Sequence, residues 1–278
     1  MVDNKFDKKI YKDKMKEKLK FAYKLIDDSV EQLKMSKEFF QNYIDVQSRF
    51  DIYTVRNALL IAQQNPKATQ LKSYEKWRES QAIFKRRYPE KIVILEPRQT
   101  TTKDGKTISG FTAKEVIDIS EVSIKQTEKN YDKKLLIQSI LHNCPVELKV
   151  IEDLADDKIC MWSAEENVMY IRKSQDPDLI FQNVSIEMSK IEMHELNQEM
   201  DTDNARCISY MLCKRYGIDC SDEYIDKLFL KCSDMSKEEI LDTLTSIKDV
   251  VSNMNNRIEQ YLENKEVKNI VREKSHER

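Results

Sequence analysis

Only three glycines and five prolines punctuate the 278 residues of this chain. An all-β sandwich or barrel needs a turn signal about every 8–12 residues, so that class is excluded, as are collagen-like and linker-rich architectures. Glycines at 105, 110 and 217 are also too scattered to build a phosphate-cradling loop. Hydrophobic residues make up 40% of the chain, enough for a sizeable core, and the length suits one large domain or two ordinary ones. No run of 18 apolar residues occurs, so no membrane span is expected. The N-terminus is charged from its third residue and lacks an apolar h-region, which points to a cytoplasmic setting. Six cysteines without a CxxC pair read as reduced, buried thiols rather than disulfides or a zinc cage.

The net charge of −2 hides an asymmetry. Residues 1–120 carry 25 Lys and Arg against 17 Asp and Glu; the remainder carries 22 against 32, so the halves hold net +8 and −10. A basic half joined to an acidic half suggests two modules with different surfaces, the basic one suited to a polyanionic partner.

Hydrophobic period supplies the elements. Residues 5–34 read as a long Lys-rich amphipathic helix, with Phe6, Ile10, Met15, Leu19, Ala22, Leu25, Ile26, Val30 and Leu33 near helical spacing. Ser36 is placed to cap a second helix, and a third is expected from Thr54 to Gln64, ended by Asn65-Pro66. Ser73 caps a short helix through Trp77. The segment 91–97 reads as a strand, Asp104-Gly105 as a turn and 111–119 as the partner strand. The polar stretch 121–133 is the expected boundary, giving modules at 1–125 and 126–278. The second module reads as a helix at 134–141, strands at 146–151, 158–163 and 168–171, then helices at 178–196, 203–216, 221–232 and 236–264. The charged stretch 266–278 is expected to fray.

Between residues 49 and 98, cations alternate with rings. Arg49, Arg56, Lys72, Arg78, Lys85, Arg86 and Arg87 are the candidate phosphate contacts, and Tyr53, Tyr74 and Trp77 the candidate stacking rings. Cations neutralise phosphates and release counterions, while flat rings stack on unpaired bases. No recognition helix for duplex DNA stands out. The alternative is that Phe50, Tyr53 and Trp77 belong to the core and Lys85–Arg87 to a solvated loop.

The stretch FFQNYIDVQSRFDIYTVRNALLIAQQNPKATQLKSYEKW at 39–77, the basic Lys85–Arg87 segment, KIVILEP at 91–97 and GFTAKEVIDIS at 110–120 follow one another in an order that resembles the N-terminal domain of ArdC-type antirestriction proteins. The same pieces resemble LtrC-like proteins of conjugative elements. The resemblance spans most of residues 36–120. It implies a single-stranded DNA-binding domain in a protein of a mobile element, one that protects or handles transferred DNA. SQAIFKRRYPE replaces the Gly-containing turn common in that family.

The family's second half resembles a zincin metallopeptidase fold related to ImmA/IrrE proteins. That chemistry needs HExxH on a helix, two His holding Zn²⁺ and a Glu activating water. Here VSIEMSKIEMH at 184–194 resembles that helix, with Ile186 and Lys190 at the two His positions and Glu187 retained. NARCISYMLCKRYGID at 204–219 resembles the third-ligand helix, yet the carboxylate position falls on Asn204 or Arg206. An aliphatic chain cannot coordinate, and Lys190 repels a cation. The resemblance therefore implies a pseudo-peptidase with a vestigial Glu187, no metal and no cofactor, and an ion pair from Glu187 to Lys190 is expected at i,i+3.

Two other registers stay open. HELNQ at 194–198 could use His194 and Gln198 with Cys207 or Asp201 as a non-standard zinc site. His142 precedes Asn143-Cys144-Pro145 and reads as a helix end, with a Cys–His nucleophilic pair as the remote alternative; His276 has no visible partner, and Tyr210, Leu212 and Tyr216 read as core. The expectation is an α+β chain: a helical and β single-stranded DNA-binding-like domain, then a zincin-like domain lacking its metal site. The expected partner is single-stranded DNA, and the acidic second half offers a surface to a protein partner. The competing functions are a metallopeptidase built around His194 and a protein-interaction module that binds no nucleic acid.

Overall fold

Oxygen-bearing side chains start the helices. In the computed structural model, which describes residues 3–101, 104, 107–124, 131–155, 158–173, 176–198 and 201–276, helix α1 covers Asp3–Met35 and Ser36 caps α2, Lys37–Arg49, by accepting from the Phe39 N–H. Thr54 caps α3, Val55–Gln64, and Ser73 caps α4, Tyr74–Glu79. Between residues 10 and 35, the apolar face of α1 is fully buried at Ala22, Ile26, Val30 and Leu33, and Ile10 is exposed.

Strands β1 (Leu71–Lys72), β2 (Ile83–Phe84), β3 (Ile92–Thr101), β4 (Thr107–Asp118) and β5 (Val122–Ser123) follow in order, with a 3-10 turn at Ile119–Glu121 before β5. β3 and β4 pair antiparallel from Ile92 opposite Val116 to Thr101 opposite Thr107. β1 joins the far side of β4, and β2 pairs with β5 as a separate ribbon. Of the expected Asp104-Gly105 turn, Gly105 lies outside the described residues.

The open edge of β3 is closed by a helix. Asn57 Nδ2 donates to the Leu95 carbonyl at 2.9 Å and Asn57 Oδ1 accepts from the Leu95 N–H at 2.8 Å. Gln64 repeats this two-way contact at Val93, both bonds 2.9 Å long. Two amides seven residues apart on α3 thus satisfy the backbone groups that a further strand would have met.

The chain divides into two compact units, Met1–Thr127 with Ser233–Ile240, and Glu128–Cys232 with Leu241–Arg278. The expected boundary at 125–126 falls among residues outside the description. In unit 2, α5 (Lys133–Leu141) precedes β6 (Glu147–Ile151), β7 (Cys160–Ser163) and β8 (Val168–Arg172). β8 is central, antiparallel to β7 across a turn at 164–167 and parallel to β6. Helices α6 (Pro177–Glu195), α7 (Thr202–Tyr216), α8 (Glu223–Ser233) and α9 (Lys237–His276) complete the chain. Gly217 ends α7 at φ 68°, a left-handed conformation for which glycine is the low-cost residue. The helix expected to stop near 264 runs to His276, while 277–278 lie outside the description. Helix and sheet are thus mixed, as an α+β chain requires. No described helix is long and apolar enough to cross a membrane.

Candidate functional site

The basic, ring-bearing segment of unit 1 splits into groups that hold the fold and groups that face solvent. Trp77 belongs to the first. It is fully buried with Ile117, Ile119 and Val122, and its Nε1–H donates to the Ile117 carbonyl at 2.8 Å. The stacking role expected for Trp77 is therefore corrected: its ring is core, because the short α4 must bury something large to stay on β4. Lys72 lies over that ring, 4.6 Å from its centroid, and donates to Ser80 Oγ at 3.0 Å, so it is half-buried rather than free for phosphate.

Arg49 is corrected too. Its Nε donates to the Ala68 carbonyl at 2.9 Å and a second nitrogen donates to the Pro66 carbonyl, clamping the turn that ends α3. Burial lowers its pKa, against the opposing pull of Asp45 and Asp118. Tyr53 is half-buried with its ring tilted on Phe50 at 5.7 Å, and burial raises its phenol pKa. Arg86 reaches solvent, but its guanidinium is spoken for by Glu90 at 3.1 Å and by the buried Glu121 at 2.7 Å. Glu121 also accepts from the Glu90 N–H at 3.2 Å, and its carbonyl accepts from the Lys85 N–H at 2.9 Å. One buried carboxylate thereby fixes the shape of the whole 85–90 loop.

Several rings and cations remain exposed. Tyr74 stacks on Phe84 with centroids 4.6 Å apart and planes 10° apart, leaving the tyrosine 43% exposed. Tyr88 is 76% exposed, with the Arg87 guanidinium 5.3 Å from its ring centroid. Arg56, Arg78, Lys85 and Arg87 are exposed and enter no ion pair among the described residues. Lys67 and Lys85 line an open cleft of about 710 Å³ with Thr69, Ser120 and Ser123. Its one acid, Asp118, is already occupied by the N–H groups of Thr69, Gln70 and Ser120 at 2.8, 3.1 and 2.9 Å. Burial raises the Asp118 pKa, yet those donors outweigh it and hold the carboxyl below its ordinary range. Tyr88 and Lys67 were not among the candidates. Their signal was adjacency: a ring directly after three cations, and a lysine directly after the helix-ending proline.

In unit 2, Glu187 is buried on α6. Its Oε1 lies 2.8 Å from Lys190 Nζ, and its Oε2 accepts from the backbone N–H of Trp162 on β7 at 3.1 Å. Both carboxylate oxygens are engaged. The HELNQ register does not form, since α6 ends at Glu195, Asn197 turns left-handed and Gln198 accepts from Ser246 at 2.7 Å. His194 packs edge-on to Trp162 at 5.4 Å. Asp201 caps α7 and pairs with Lys231, while Cys207 is fully buried. Cys144 points its thiol at the Met188 sulfur, 3.5 Å away, and His142 packs on Tyr261, so these two do not form a nucleophile–base pair. Burial raises the thiol pKa values of Cys144, Cys160, Cys207 and Cys232, the last to about 11. Among the described residues, no three His, Cys, Asp or Glu side chains converge on a point that could hold a metal ion.

No family model and no curated protein matches the sequence. Among solved structures, the crystal structure of the antirestriction ArdC protein from the R388 plasmid, in its Mn(II)-bound form, is similar to this chain. The TM-score is 0.49 at 10% identity, over 78% of this chain and 97% of that one.

Proposed function

We propose that unit 1 binds single-stranded DNA and that unit 2 is a pseudo-peptidase scaffold, together forming a cytoplasmic accessory protein that protects or handles transferred DNA. The observation that carries the first part is the solvent face of the 67–88 segment. Lys67 and Lys85, neither in an ion pair among the described residues, line one open cleft, Arg87 lies over the exposed ring of Tyr88, and Tyr74 is exposed where it stacks on Phe84. Cations of this kind hold phosphates, and rings of this kind stack on bases whatever their identity. The mobile-element setting rests on the sequence resemblance of residues 36–120.

The second part is supported by Glu187. A general base must hold a water, and here one oxygen meets an ammonium and the other a strand N–H. That N–H belongs to the edge strand β7, where an extended peptide would otherwise add. Ile186 offers no donor atom.

The test is a titration of labelled oligothymidine and of a matched duplex at several salt concentrations. The single strand is expected to bind more tightly, with log K falling by about 0.7 per phosphate neutralised for each tenfold rise in salt. Lys85→Gln with Arg87→Gln flattens that slope. Equal affinity for both forms, or no binding, overturns the reading. Metal analysis of the purified protein is expected to find no stoichiometric zinc, and finding it would restore the peptidase.

A further inference from the structure

A second groove in unit 1 shares no lining residue with the 67–88 segment and lies between residues 11–19 of α1 and the β3–β4 hairpin at Arg98, Phe111 and Thr112. Its volume is about 310 Å³. Met15 and Leu19 of α1 form an apolar floor, and two rings stand over it: Tyr11, 66% exposed, and Phe111, 41% exposed. Neither ring stacks on another aromatic ring among the described residues. Lys12, Lys16 and Arg98 complete the lining, and none of the three enters an ion pair among the described residues. Arg98 sits opposite Gly110, which has no side chain to obstruct it.

Among the described residues, no acid lines this groove. At about 100° per residue, the lining positions 11, 12, 15, 16 and 19 share one side of α1, while Asp13 and Glu17 fall on the other. Glu96, which neighbours Thr112 on the groove's margin, is paired with Lys114, and Glu115 is held by Lys18 and Lys91. The groove is thus positive, apolar at its base and ring-walled.

We infer that this groove is a second subsite for an unpaired polynucleotide, taking a base between Tyr11 and Phe111 and its flanking phosphates on Lys12, Lys16 and Arg98. The inference rests on the single-stranded DNA reading and extends it to a region that reading does not use. An acidic amphipathic helix fits less well, since a helix with its side chains is about 10–12 Å across and this cavity admits little more than a ring and a chain. From Lys91 to Arg98 the strand runs about 23 Å, so this subsite is separate from the 85–88 loop rather than an extension of it.

The experiment compares four proteins for binding of oligothymidines of increasing length: wild type, Tyr11→Ala with Phe111→Ala, Lys12→Gln with Lys16→Gln, and Lys85→Gln with Arg87→Gln. The altered side chains are exposed, and thermal melting checks that each variant folds. A photo-crosslinking oligonucleotide bearing iodouracil gives an independent readout by peptide mapping. The ring variant is expected to weaken binding of long oligonucleotides about tenfold. The Lys12 and Lys16 variant is expected to flatten the salt slope by about 1.4, with crosslinks at Tyr11 or Phe111 in the wild type. If wild type binds and the Lys85 and Arg87 variant weakens, but the groove variants match wild type and no crosslink maps to the groove, the subsite is wrong while the single-strand reading stands. If the groove variants instead lose only binding to an acidic peptide or to anionic vesicles, the subsite is equally overturned. No binding of any single strand by wild type removes both.

Discussion

Trp77 and Tyr88 carry rings of similar size to opposite ends of the exposure scale, 0% against 76%. They lie eleven positions apart in the same basic segment, and nothing in the composition of that segment distinguishes a core ring from a surface ring. The distinction comes from α4, whose six residues have one position facing the sheet, and Trp77 fills it. Trp77→Ala is therefore expected to destabilise unit 1 by about 3–5 kcal/mol in urea unfolding, whereas Tyr88→Ala leaves the midpoint unchanged and weakens oligonucleotide binding. The Glu187–Lys190 pair makes a second residue-scale case. Lys190→Met leaves a buried carboxylate with one N–H as its remaining partner and is expected to cost about 1–3 kcal/mol, reduced by the partial exposure of the lysine. Adding Glu187→Gln to that variant should recover much of the loss, and a double-mutant cycle in urea measures it. The i,i+3 spacing made this pair legible in the sequence; the bond from Trp162 was not, because it joins residues 25 positions apart on different elements.

Helices announced themselves through their caps and period: Ser36 and Ser73 accept the expected N–H bonds, and Thr54, read as the first residue of α3, caps it. The β3–β4 pairing was also legible from its apolar runs. Two-residue strands such as β1, β2 and β5 carry no period to detect, and the bond network that shapes the 85–90 loop depends on Glu121, which looks like any other surface acid in sequence. The amide clamp on β3 was hidden for the same reason. Asn57→Ala leaves the Leu95 N–H and carbonyl without partners and is expected to cost about 2–3 kcal/mol, with faster hydrogen exchange at the Leu95 amide. Asp118 organises the turn before β1 in a comparable way. Its carboxyl is held below the free-chain value of about 3.9, so its stabilisation is complete above that pH and is lost as the pH falls through the lower folded value. Asp118→Asn should lower stability at neutral pH and make the loss between pH 5 and 2 shallower than in wild type, as read by urea midpoints across that range.

At the scale of the whole chain, a positive first half and a negative second half make association with a polyanion depend on ionic strength far more than the net charge of −2 suggests. Retention on immobilised single-stranded DNA is expected to fall steeply between about 50 and 200 mM salt, although the protein as a whole is slightly anionic. Retention that ignores salt would mean the cations are not in contact with phosphate. The side-chain amides of α3 bear on a different hazard. In the proposed function, copies gathered along one polynucleotide would reach high local concentration, the condition in which bare strand margins zip neighbouring molecules into aggregates; a margin already sealed from within gives such neighbours nothing to seize at Val93 and Leu95.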